Sequence, residues 1–245
     1  MGGRIGAVRE PPLQGEAIAV PYDPQKHHRR PIRLRGYNYG SPGAYFVTIC
    51  THDREPLLGE VVDGAMRPSP FGHIADETWC WLAERYPYVR LDVYVVMPNH
   101  LHGVLWLVDD GSYGDGRGGS RTAPTDSIKR KPLGRLVGAF KTVSTKQVNQ
   151  LRGTPGVPLW QSNYYEHIVA SERALRAIRQ YIVDNPIRWH LGRYNPAATG
   201  RDPQAQALWD SLQNERRHVI DYAQQACYNP PVFAPLPSSD KPGTA

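Results

Sequence analysis

The sequence predicts an α+β chain, a ferredoxin-like split βαβ antiparallel sheet with an added C-terminal helix. Two observations predict it. Segments rich in β-branched and aromatic residues alternate with amphipathic ones in the order strand, helix, strand, strand, helix, strand, which is the split βαβ plan. The chain of 245 residues, 40% hydrophobic, is long enough for one substantial core, while its Gly and Pro gather at the ends and in one internal stretch. This divides the chain into a basic flexible arm (1–36), a domain (37–190) carrying a flexible insert (109–127), and a mostly irregular C-terminal extension (191–245).

Each element has its own signal. Residues 44–51, bounded by Pro42-Gly43, read as the first core strand. A short polar segment with turn residues Asp63-Gly64 and Pro68-Ser69-Pro70 follows. Ile74, Trp79, Trp81, Leu82 and Ala83 then fit an amphipathic helix that stops before Tyr86-Pro87. The apolar runs 91–97 and 101–108 flank Pro98-Asn99 and predict a hairpin. Leu133, Leu136, Val137, Phe140 and Val143 recur at helical spacing. The same stretch carries Lys129, Arg130, Lys131, Arg135, Lys141 and Lys146, unopposed by any acid from Ile128 to Gln150, so this helix has a cationic face. Residues 164–169 predict the last strand. Ser171 caps a helix that buries Leu175, Ile178 and Ile182 and ends near Asp184. One further helix is possible over 204–226, before a proline-rich tail. Such a sheet is expected to leave one face free, on which single-stranded nucleic acid could lie.

Composition narrows the function. No stretch approaches the roughly 18 apolar residues of a membrane span, and the first residues lack a secretory apolar core, so a soluble, cytoplasmic protein is expected. Lys+Arg 29 against Asp+Glu 23 gives a net charge of +6, which suits a polyanionic partner. Cys50, Cys80 and Cys227 are odd in number and far apart, against both a disulfide framework and a zinc ribbon.

The chemistry-bearing residues are few. His100 and His102, two apart on a predicted strand, project from one face and could share a divalent cation, although two imidazoles need an oxygen donor beside them. The alternative is a hydrogen-bonded histidine pair at a strand end. Tyr181 and Asn185 lie one helical turn apart, so a phenol stands beside an amide oxygen. Alternatively, Tyr181 packs at the core edge and Asn185-Pro186 merely ends a helix. Tyr164 and Tyr165 are rival tyrosines. No H-E-x-x-H or carboxylate-rich constellation suggests a small-substrate metallohydrolase.

Four motifs in register carry a resemblance: Tyr45-Phe46-Val47-Thr48-Ile49-Cys50-Thr51; Val95-Val96-Met97-Pro98-Asn99-His100-Leu101-His102-Gly103; Leu159-Trp160-Gln161 with Tyr164-Tyr165-Glu166-His167-Ile168; and Tyr181-Ile182 with Asn185-Pro186. Over roughly 33–190 the chain resembles the HUH single-tyrosine transposases (transposase IS200-like domain), and within them the REP-associated tyrosine transposases. The resemblance implies a ferredoxin-like fold and His100 and His102 as ligands of Mg²⁺ or Mn²⁺, with Asn185 as the third. It implies Tyr181 as the nucleophile that forms a 5′-phosphotyrosyl link with single-stranded DNA. Single-stranded DNA is the expected partner, with hairpin-forming repeats left open as a target, bound by a monomer or homodimer. The DNA backbone is expected to lie on the helix cations named above and on Arg29, Arg30, Arg33 and Arg35. The rival reading is a non-catalytic, domesticated nucleic-acid-binding module, which would need neither His102 nor Tyr181.

Overall fold

The computed structural model describes residues 33–34, 36–109 and 130–225, with backbone alone for 216–225. Arg29, Arg30, Arg35 and Lys129 lie outside the described residues, as do most of the expected arm and insert and the tail. In chain order the elements are β1 (Gly43–Cys50), β2 (Gly59–Val62), β3 (Ala65–Pro68), α1 (Pro70–Arg85), β4 (Val89–Met97), β5 (His100–Leu107), α2 (Leu133–Arg152), β6 (Tyr165–Val169), α3 (Glu172–Asp184) and α4 (Pro203–Gln225). The main sheet has the order β4-β5-β1-β6 with every neighbouring pair antiparallel. This is the expected split βαβ arrangement. The polar segment before α1 holds one addition, the β2-β3 hairpin. Its turn residues Asp63 and Gly64 both have positive φ, as a two-residue turn that matches strand twist requires.

The strand period of two sorts side chains onto two faces. Tyr45, Val47, Ile49, Leu101 and Leu105 pack with Trp79 and Leu82 of α1 and Leu136 and Phe140 of α2. Ala44, Phe46, Val104 and Trp106 face the other way, against Leu175, Ile178 and Ile182 of α3 and Leu208, Trp209 and Leu212 of α4. The sheet face expected to be free for nucleic acid is therefore covered, because α3 and α4 both present an apolar stripe that water would penalise. α1 begins on Ser69, whose hydroxyl accepts from the Gly72 amide, with Pro70 at its first position. It lies close to β5 at Gly103, where an added Cβ would come within 2.7 Å of the Trp79 ring. A hydrogen at that position lets the indole rest on the strand that carries the two histidines.

Candidate active site

His100 opens β5 and His102 follows two residues later, opposite Cys50 and Thr48 of β1. Alternation puts both imidazoles on the α3/α4 side, with ring centroids 4.5 Å apart, and both are fully buried. Each has its Nδ1 engaged. His100 Nδ1 meets the Asn99 Oδ1 at 2.9 Å, and His102 Nδ1 meets the Thr48 hydroxyl at 2.8 Å. Asn99 Nδ2 donates to the carbonyls of Arg54 and Tyr194 at 3.0 and 2.8 Å. Its oxygen must therefore face the imidazole, His100 Nδ1 must carry the proton, and Nε2 is left with its lone pair. That Nε2 is buried and has no hydrogen-bond partner. Burial, reinforced by the Arg54 charge, pushes His100 down to about 3, and burial with the neighbouring His100 and Arg193 holds His102 well below its ordinary range. Both rings are neutral, the form in which imidazole ligates a cation.

Tyr181 comes from α3, a helix capped by Ser171 at the Ala174 amide. Its hydroxyl lies 3.1 Å from His102 Nε2. Burial and the nearby Tyr194 raise its pKa, while the Asn185 side chain acts on the hydroxyl in the opposite direction. Asn185, at the C-cap of α3, joins His100, Tyr181, Trp189, Arg193 and Tyr194 in lining a cavity of about 20 Å³, room for a single water-sized occupant. The donor set of an unpartnered imidazole nitrogen, a second imidazole, an amide oxygen and a phenol fits a small divalent cation. Among the described residues no group of three His, Cys, Asp or Glu could hold a metal, so any third protein ligand has to be of the Asn185 kind.

The rival tyrosines stand elsewhere. Tyr164 packs on the α1/α2 face, where the Arg33 guanidinium donates to its hydroxyl at 3.3 Å. Tyr165 shares the histidine face but packs its ring on Trp209, centroids 4.9 Å apart. The expected backbone-binding cations also divide. Arg135 and Lys146 are exposed on α2. Lys141 instead donates to the carbonyls of Gln161, Ser162 and Asn163 at 2.7 to 3.3 Å, and burial pushes its pKa down to about 8. Lys131 lies over the Tyr86 ring, Arg130 pairs with Asp109, and Arg33 approaches the buried Glu166 at 3.7 Å. Sequence reasoning quoted Thr48 and Asn99 in the resembling motifs without giving them a role, and missed Trp189 and Tyr194. The ring of Tyr194 covers His100 at 4.5 Å, and nothing in its local pattern marks it.

A fold of this kind with a buried histidine pair facing a helix tyrosine describes a class. An uncharacterized protein of Haemophilus influenzae is 35% identical over 174 residues, covering 70% of this chain and 96% of its own. The chain belongs to the same family as that protein. No protein-family model matches the chain. Among solved structures it is similar to a REP-associated tyrosine transposase bound to a REP hairpin, at 18% identity and a TM-score of 0.42, covering 64% of this chain and 73% of that one. Among the described residues no helix is long and apolar enough to cross a membrane.

Proposed function

We propose that this chain is a metal-dependent single-stranded DNA endonuclease and strand transferase, a transposase of the HUH single-tyrosine kind. One observation carries the reading: the Tyr181 hydroxyl stands 3.1 Å from His102 Nε2, beside a second buried histidine whose Nε2 has no partner. His100, His102 and Asn185 would hold Mg²⁺ or Mn²⁺. Bound there, the cation would polarise the scissile phosphate.

The remaining work belongs to the chain. α3 fixes the direction from which the phenol approaches. The Tyr181 oxygen attacks phosphorus, the bond to the 3′ oxygen breaks, and a 5′-phosphotyrosyl link and a 3′-hydroxyl result. The proton lost by the phenol balances the one gained by the departing oxygen. Phosphodiester energy is kept in the new bond, so strand transfer needs no ATP.

The test is to incubate the full chain with labelled single-stranded DNA from the gene's own flanks and Mg²⁺ or Mn²⁺, then look for an adduct on a denaturing gel. Wild type should form it, Tyr181→Phe should not, and Tyr164→Phe and Tyr165→Phe should. Binding with no wild-type adduct would favour the non-catalytic module. An adduct persisting in Tyr181→Phe would reject the assigned nucleophile.

A further inference from the structure

We propose that Arg54 and Arg193 form a phosphate clamp at the mouth of the histidine–tyrosine cavity, gripping the backbone of the DNA strand that Tyr181 attacks. The inference rests on the function proposed above and adds to it two residues that no sequence pattern marks. Both guanidiniums are exposed, and among the described residues neither forms an ion pair with a carboxylate. They come from distant parts of the chain to one ring. Arg54 lies 5.5 Å and Arg193 5.2 Å from the centroid of Tyr194, the ring that covers His100. Arg193 also lies 5.2 Å from the Trp209 ring and lines the cavity itself.

The backbone under Arg54 is unusual. Asp53 and Arg54 both have left-handed φ values, 50° and 58°, a conformation that non-glycine residues adopt at a cost and that gathers at functional sites. The Arg54 carbonyl is held there by Asn99, the residue that also orients His100. One side chain thus anchors the Arg54 backbone and orients the His100 imidazole. Two unpaired, planar, five-donor groups beside a phosphoryl-transfer cavity match the geometry of phosphate oxygens.

Their location also solves a problem of route. The exposed cations of α2 lie on the opposite sheet face from the histidines, and one route between the two rounds the end of the sheet where Cys50 pairs with His100. The charges of Arg54, Arg193 and Lys141 all act on the Cys50 thiol at that end, so the clamp lies on that route.

The experiment measures binding of a labelled oligo-dT of about twenty nucleotides by anisotropy, in the Tyr181→Phe background without metal, as a function of salt. Each of Arg54→Gln and Arg193→Gln should reduce the slope of log affinity against log salt by about 0.7, the value of one phosphate contact on a single strand. Arg54→Lys and Arg193→Lys should restore most of it, with thermal midpoints unchanged throughout. An unchanged slope in the Gln variants, with the parent still binding, overturns the clamp and leaves the proposed function standing. A parent that does not bind single-stranded DNA overturns both. Equal loss in Gln and Lys variants with lowered midpoints would show that the arginines only pack on Tyr194, and also overturns the clamp.

Discussion

Asn99 shows how one buried amide can set the chemistry of its neighbours. Its side chain makes three hydrogen bonds, to His100, Arg54 and Tyr194, and its carbonyl accepts from the Thr51 amide and hydroxyl. Replacing it with Ala would leave an imidazole N–H and two carbonyls without partners. Each such orphan costs about 1 to 3 kcal/mol, and partial relaxation brings the expected loss for Asn99→Ala to roughly 2 to 4 kcal/mol, measurable by denaturant unfolding. Because the amide also fixes the His100 tautomer, affinity for the proposed cation, read as Mn²⁺ binding by titration calorimetry, should fall on the order of ten- to a hundredfold, and a wild type that binds no Mn²⁺ would reject the proposed metal site. The two histidines stood out by their local i, i+2 spacing, whereas Tyr181, 79 positions from His102 in the chain, was singled out only through the resemblance of its motif. Asn99 stood in the resembling motif and in a Pro-Asn turn but without a role, since turn chemistry already explained its presence and its partners are 45 and 95 positions away in the chain.

The elements were legible where a period repeats and illegible where partners decide. α3 alternates cleanly enough to show its buried stripe, yet nothing local told what the stripe would cover. The answer includes an ion pair: Asp92 of β4 accepts two hydrogen bonds from Arg179 of α3 at 2.9 and 2.6 Å and one from the Trp106 indole at 2.9 Å. Burial alone would raise the Asp92 carboxyl, but these bonds and the Val93 amide outweigh it and hold the carboxyl below its ordinary range. A depressed folded value means that the stabilisation is fully present above the unfolded value, near 3.9, and is lost as pH falls through the folded one. The stability difference between wild type and Asp92→Asn should therefore be constant at neutral pH and shrink below about pH 4, and a gap that persists at lower pH would contradict the assignment. The β2-β3 hairpin escaped notice for another reason. Its Asp-Gly turn was visible, but strands of four residues including Gly59 and Pro68 carry too little alternation to register. Packing across elements makes a further prediction at Gly103. An added methyl there meets Trp79, so Gly103→Ala should cost about 1 to 3 kcal/mol in a thermal or denaturant melt.

Among the described residues the sheet separates the histidine–tyrosine site from the cationic helix α2. The histidine–tyrosine site lies under α3 and α4, while the exposed helix cations lie on α2 behind the other face. On a helical wheel Arg135 and Lys146 share one side of α2, whereas Lys141 falls at the border of the apolar stripe. The loop carbonyls of 161–163 fold back onto its ammonium there, a partnership distant in the chain that no local pattern contains. What remains outward on α2 is Arg135 and Lys146, with Lys146 bordering a groove of about 810 Å³ that Trp160 and Gln161 also line. Both side chains are exposed, so Arg135→Gln with Lys146→Gln should leave stability within about 0.5 kcal/mol. If the DNA backbone runs along α2 past both side chains, the double variant should weaken binding alike for every sequence and reduce the salt slope by about 1.4, two contacts at 0.7 each. Lys141→Met should behave differently. It would uncap three carbonyls and so lower the melting temperature with no matching change of slope, because an ammonium already shared among protein oxygens releases few counterions. Opposite behaviour, with stability lost in the double variant or slope lost in Lys141→Met, would place the DNA-facing charge on the residue that the folded loop now encloses.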